Sequence, residues 1–123
     1  MTRLRAKAGH EKHVRLHRWL LRTAAWRNLS LAARCSLVEL YDLFNGENNG
    51  DIFLGAREAA KRLGTGKDRA LDALHELEER GFIRARRRGD FHWKAGMATQ
   101  WVLSEFEFAG QPLVAIGAEP DKT

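Results

Sequence analysis

Residues 56–84 read AREAAKRLGTGKDRALDALHELEERGFIR, and this stretch constrains the chain more than any other. Ala56 to Leu63 has helical composition and stops at Gly64, where a glycine can take the left-handed conformation that closes a helix. Lys67 to Arg80 is a second helical segment, with Ala70, Leu71, Leu74, Leu77 and Glu78 on one side, and Gly81 closes it. Only Gly64, Thr65 and Gly66 separate the two segments. Two helices joined by so short a turn have to meet at a corner, and the rest of the chain has to complete their core.

The flanking segments can do so. Ser30 stands where it caps a helix in which Ala33, Leu37, Leu40, Tyr41 and Phe44 recur at three- and four-residue spacing, and Asn45-Gly46 ends it. Cys35 lies inside that periodic segment and is expected to be buried. The stretch GENNGDIFLG is turn-rich up to Gly50, and Asp51 to Leu54 is then too brief for a helix and reads as a short strand. Beyond Gly81, Phe82 to Arg87 and Thr99 to Phe106 both alternate as half-buried strands do. In the first, Phe82 and Ile83 face inward while Arg84, Arg86 and Arg88 share one side; in the second, Trp101 and Leu103 are the candidates for burial. Between them lies a basic loop, RGDFHWKAGMA. Upstream, Leu16, Trp19, Leu20, Trp26 and Leu29 suggest a short helix and an irregular connection, with Trp19, Trp26 and Trp101 as core candidates.

The outer segments differ in kind. Met1 to Glu11 lacks hydrophobic periodicity and reads as a basic, disordered arm. The expected organisation is an arm over residues 1–13, one domain over 14–106 and a tail over 107–123. A small apolar cluster in the tail, Leu113, Val114 and Ile116, either packs back on the domain or joins two copies into a homodimer.

Charge is distributed in blocks. Residues 1–28 carry eight basic and one acidic side chain, residues 29–80 seven and ten, and residues 81–100 five and one. Such blocks around an acidic middle suit a polyanion approached from particular sides. No apolar run nears the roughly 20 residues that span a bilayer, so no membrane partner is expected. The basic N-terminus has no apolar stretch after it, and a lone cysteine suits a reducing compartment, so a cytoplasmic location is expected. That disposes of the glycosylation match at Asn28-Leu29-Ser30 and the adhesion tripeptide Arg88-Gly89-Asp90, both of which need an extracellular setting.

The resulting order is helix, short strand, helix, tight turn, helix, and a two-stranded hairpin with a basic loop. Arg57 to Arg84 resembles the core of bacterial winged helix-turn-helix DNA-binding proteins: an AAxxLG helix, a tight turn, a second helix ending LxELEERGFI, and a first wing strand. The preceding NLSLAARCSLVELYDLFNGENNGDI is similar to the first helix and strand of small proteobacterial, plasmid and phage helix-turn-helix proteins. The resemblance covers about Trp19 to Phe106. It implies an α+β, mainly α fold with a three-helix core and a small β-hairpin wing.

It also implies a site. The DNA-reading helix maps onto Lys67 to Arg80, with its first turn entering the major groove of duplex DNA. Thr65, Gly66 and Lys67 stand at its N-terminus, whose free N–H groups and partial positive charge suit a phosphate. Lys67 and Arg69 are expected on phosphate or guanine, and Arg57 on a further phosphate. The wing maps onto Arg84, Arg86, Arg87, Arg88, His92 and Lys94, which follow the backbone or enter a minor groove. Against this stands the helix's outward stripe of Asp68, Arg69, Asp72, Glu76 and Glu79, which is mostly acidic. Asp68 and Asp72 either read bases or fix Arg69, or else the helix sits shallowly and wing and arm supply the affinity. Near the wing, Phe91 and Trp93 either pack it on the body or stack on bases.

Other motifs fail on spacing. His10-Glu11-Lys12-His13 has one residue too few for a zinc-protease helix. The GTGK turn has Lys61 where a phosphate loop needs its first glycine and Asp68 where magnesium needs Ser or Thr. No nucleophile-and-base set is legible. The expectation is therefore a DNA-binding protein that regulates transcription, without catalysis, cofactor or metal. A replication initiator or accessory factor of a plasmid or phage, and a protein-interaction module, are the alternatives. The sequence names neither the target DNA nor any small-molecule effector.

Overall fold

A computed structural model describes residues 12–88 and 98–106. It is an α+β structure, with about half of the described residues in five helices and a small antiparallel sheet of three strands. The helices are α1 (Arg18–Leu21), α2 (Ala24–Arg27), α3 (Leu31–Leu43), α4 (Ala56–Leu63) and α5 (Lys67–Glu79). The strands are β1 (Ile52–Phe53), β2 (Ile83–Arg87) and β3 (Gln100–Leu103), in the order β1-β3-β2.

Helix α3 begins as its sequence requires. Ser30 is extended, and its Oγ accepts a hydrogen bond from the Ala33 N–H at 3.1 Å. Ala33, Leu37, Leu40 and Tyr41 are buried along one face. Cys35 is exposed, contrary to expectation. Two residues beyond Ala33 is about 200° around a helix, so a side chain inside a periodic segment still faces outward if it is out of phase with the stripe.

Helices α3, α4 and α5 pack against one another. Gly64 ends α4 in the left-handed region, at φ 72°, and the N–H groups of Gly64 and Thr65 both donate to the Ala60 carbonyl. The core face of α5 is Ala70, Ala73, Leu74 and Leu77, with Leu71 only half-buried. Two of those four are alanines, and they match Ala59 and Ala60, the buried residues of α4. Small side chains on both helices let the backbones approach, which turns the stripe slightly from the leucine-centred one expected.

The sheet closes the other side of this core. Ile52 pairs with Trp101 and Phe53 with Gln100, while Ile83 pairs with Leu103 and Ala85 with Trp101. Ile52, Ile83, Trp101 and Leu103 form the inner face. The Trp101 indole N–H donates to the Leu54 carbonyl at 2.9 Å, so its polar edge is satisfied as its rings are buried. Asn49 acts as a side-chain extension of the sheet: its Oδ1 accepts from the Leu103 N–H at 2.7 Å and its Nδ2 donates to the Leu103 carbonyl at 3.1 Å.

Of the tryptophans expected in the core, Trp101 is buried and Trp26 half-buried, but Trp19 is 46% exposed. Helix α1 is a single turn, and Leu20 takes its inward position. Trp19 is left beside His17, with ring centroids 6.2 Å apart and nearly parallel. Thr23 connects the two short helices, donating from Oγ1 to the Leu20 carbonyl and accepting from the Trp26 N–H.

Candidate nucleic-acid interface

The first candidate surface is the turn and opening of α5. Gly66 is its N-cap and offers no side-chain acceptor, so the first N–H groups of the helix are free of a capping side chain. Lys67, Asp68, Arg69 and Asp72 are all exposed there, and Thr65 is half-buried in the turn. Arg57 is exposed in the first turn of α4. Its neighbour Arg62 is committed elsewhere: it reaches Glu39 at 3.2 Å, Asp42 at 3.7 Å and Glu58 at 3.2 Å.

The acidic stripe expected along α5 is partly consumed by the fold. Glu76 is only half exposed, and its carboxylate accepts hydrogen bonds from the Ser30 N–H at 2.8 Å and the Ser30 hydroxyl at 2.7 Å. It therefore belongs to the start of α3 rather than to the outward surface. Glu78 holds Arg88 through both carboxylate oxygens. That hydrogen bond and charge hold the Arg88 guanidinium above its ordinary pKa. Asp68, Asp72 and Glu79 are the exposed acids that are left on α5.

The second surface is β2, where the expected alternation fails. Arg84 pairs with Val102, Ala85 with Trp101, and Arg87 with Gln100. Two steps along β2 between Ala85 and Arg87 thus match one step along β3, and Arg86 is the extra residue of a bulge. Strand partners share a face, so Arg84 and Arg87 fall on the outer face of the sheet with Val102 and Gln100. Arg84, Arg86 and Arg88 do not form the common row expected. Arg86 instead reaches across β3 to Asp51, 2.8 Å away, at the entrance of the opposite edge strand.

The four arginines of this segment are therefore unequal. Arg86 and Arg88 are held by carboxylates, while Arg84 and Arg87 are exposed and make no ion pair among the described residues. His92 and Lys94 lie outside the described residues, as do Phe91, Trp93, most of the arm and the Leu113–Ile116 cluster. Phe53 went unremarked in the sequence. It pairs with Gln100 on the same outer face and is 47% exposed. Its place after Ile52 in an alternating strand was the available signal, but a two-residue strand is too short to fix the phase.

A separate polar cluster lies at the C-terminal end of α3. Glu105 is buried, and its Oε1 accepts a 2.5 Å hydrogen bond from the Tyr41 hydroxyl while His17 Nδ1 lies 2.9 Å from Oε2. Burial, then the hydrogen bond to Glu105 and its negative charge, push the Tyr41 hydroxyl far above the ordinary tyrosine value of 10.0. This cluster ties the segment before α1 to the segment after β3. Among the described residues no three His, Cys, Asp or Glu side chains converge to hold a metal ion, and no helix is long and apolar enough to cross a membrane.

No protein-family model matches this chain, and no curated protein or solved structure matches it either. The functional reading accordingly rests on the chemistry of these two surfaces.

Proposed function

We propose that this chain is a winged helix-turn-helix protein that binds duplex DNA and regulates transcription. The first turn of α5 approaches the major groove, and β2 with the basic loop after it serves as the wing. The observation that carries this reading is that these two surfaces hold exposed cations that make no ion pair among the described residues: Arg57 at the start of α4, Lys67 and Arg69 at the start of α5, and Arg84 and Arg87 on β2. Side chains of this kind neutralise phosphates at little desolvation cost, and the uncapped N–H groups beside Lys67 add donors of the same polarity. Glu76 is turned toward Ser30 at the start of α3 and Glu78 is paired with Arg88, so neither carboxylate is directed at an approaching phosphate.

Asp68 and Asp72 then define what the helix does. Arg69 stands between them in sequence, and either carboxylate can orient it toward guanine or accept from cytosine N4. If α5 reads bases, Asp72→Ala changes the preferred sequence in a selection from random duplexes. If affinity comes from phosphates alone, the preference is unchanged and the loss is uniform across sequences.

The test of the proposal is duplex binding across a salt series. The expected result is a log K that falls steeply with log salt and a clear loss on Lys67→Ala with Arg69→Ala. Undetectable binding at low salt to both random and genomic duplexes overturns it. In that case the exposed acids Asp68, Asp72 and Glu79 favour a basic protein partner.

A further inference from the structure

The outer face of the sheet carries a combination that duplex binding does not use. Phe53 on β1, Gln100 on β3 and Arg87 on β2 are direct strand partners in one row, so all three project to the same side. Phe53 is 47% exposed, Gln100 is half-buried and Arg87 is exposed. Arg84 stands on the same face farther along β2, opposite Val102, which is buried, so the face is open at its Phe53–Arg87 end and Arg84 reaches it from the exposed edge strand. Phe53 and Arg87 are two strand spacings apart, about 10 Å.

We propose that this face binds single-stranded nucleic acid, with one base stacked on the Phe53 ring and the adjoining phosphates held by Arg87 and Arg84. An exposed aromatic ring beside cations that make no ion pair among the described residues is the pairing that single strands need: a flat π surface for a base and positive charge for its backbone. A regular duplex offers the ring no free base face, because its bases are stacked on one another and present their edges in the grooves, and a ring reaches one only by unstacking a base step. A protein partner is a poorer fit. The buried core of a protein interface is a mostly apolar patch, whereas Phe53 is a single exposed ring with Gln100 and an arginine as its neighbours in the row. The one described carboxylate nearby, Asp51, is neutralised by Arg86 at 2.8 Å, so it does not repel a strand laid across the face. Gln100 sits between ring and cation and supplies amide groups for a base edge.

The proposal shares Arg84 and Arg87 with the duplex reading but does not depend on α5, and the two can be separated by variant. The probes are a fluorescent 20-nucleotide oligothymidine and a 20-base-pair duplex of mixed sequence, titrated with the full chain at low salt. Phe53→Ala is expected to weaken oligothymidine binding about 5- to 100-fold, to leave duplex binding unchanged, and to be rescued by Phe53→Tyr, which keeps the ring. Lys67→Ala with Arg69→Ala should show the reverse pattern. Because Phe53 is exposed, its truncation leaves the core intact, and an unchanged circular dichroism melt verifies that. The proposal is overturned if the wild type does not bind oligothymidine, or if Phe53→Ala binds it as tightly as wild type. It is likewise overturned if the wild type is a dimer that Phe53→Ala converts to monomer, since a second copy then covers the ring.

Discussion

Glu76 of α5 caps α3 through Ser30, accepting from its backbone N–H at 2.8 Å and from its hydroxyl at 2.7 Å. Ser30 in turn accepts from the Ala33 N–H, so one hydroxyl links two helices and closes an end that would otherwise leave donors unmet. A carboxylate at this end also opposes the positive pole of α3. Removing it in Glu76→Ala is expected to cost about 1 kcal/mol, below the roughly 1.5–3 kcal/mol of hydrogen bonds to charged groups because this pair is partly solvated. For a domain of this size that lowers Tm by about 4–8 °C. Glu76→Gln, which keeps one acceptor oxygen, should fall between. A Glu76→Ala and Ser30→Ala double-mutant cycle with no coupling would show that the two residues act independently.

Tyr41 makes stability fall at alkaline pH. Its hydroxyl is buried and donates to Glu105, and both facts favour the neutral form in the folded chain. The unfolded chain loses this proton near pH 10 while the folded chain keeps it, so the unfolded state binds fewer protons and unfolding becomes easier as pH rises. The contribution is complete below pH 10 and is lost above it, at up to about 1.4 kcal/mol per pH unit. The chain has one tyrosine, so its ultraviolet absorbance reports this group alone. Tyrosinate should appear together with loss of helical ellipticity, not before it. Tyrosinate forming near pH 10 in a chain that is still folded contradicts the buried hydrogen bond.

The arginines of β2 should separate by their ion pairs. Arg84→Ala and Arg87→Ala are each expected to reduce the slope of log K against log salt for duplex DNA by about one, as loss of one phosphate contact does. Arg86→Ala and Arg88→Ala should change it less, because Asp51 and Glu78 already balance those charges. Equal effects from all four mean that the carboxylates release their arginines when DNA arrives.

That inequality was beyond the reach of the sequence, for a definable reason. Helices α4 and α5 and the turn between them are written locally, in glycine positions and three- and four-residue spacing, and the expected bounds differ from those observed by one residue at the end of α5. The bulge at Arg86 exists only in the pairing of β2 with β3, which no pattern within β2 reports. Glu76 looked like a surface acid because its partner, Ser30, lies 46 residues away. Trp19 looked like core because large aromatic residues usually are, but a one-turn helix has a single inward position and Leu20 holds it. What was legible was therefore the frame that carries the candidate site, and what was hidden was which of its charges are already spent inside the molecule.

Gly66 allows stability and binding to be driven in opposite directions. It caps α5 without a side-chain acceptor, its backbone is extended at φ −78° and ψ 162°, and a Cβ placed there meets nothing within 4 Å. Gly66→Asp supplies the missing acceptor, sets a negative charge at the positive end of the helix, and restricts the unfolded chain. A gain of about 1 kcal/mol is expected, seen as a higher Tm. The same carboxylate would occupy the N–H groups proposed to face a phosphate, so duplex affinity should fall about 5- to 10-fold even as the fold becomes more stable. A rise in Tm with unchanged duplex affinity would place the first turn of α5 away from the DNA backbone and leave the β2 arginines to carry the contact.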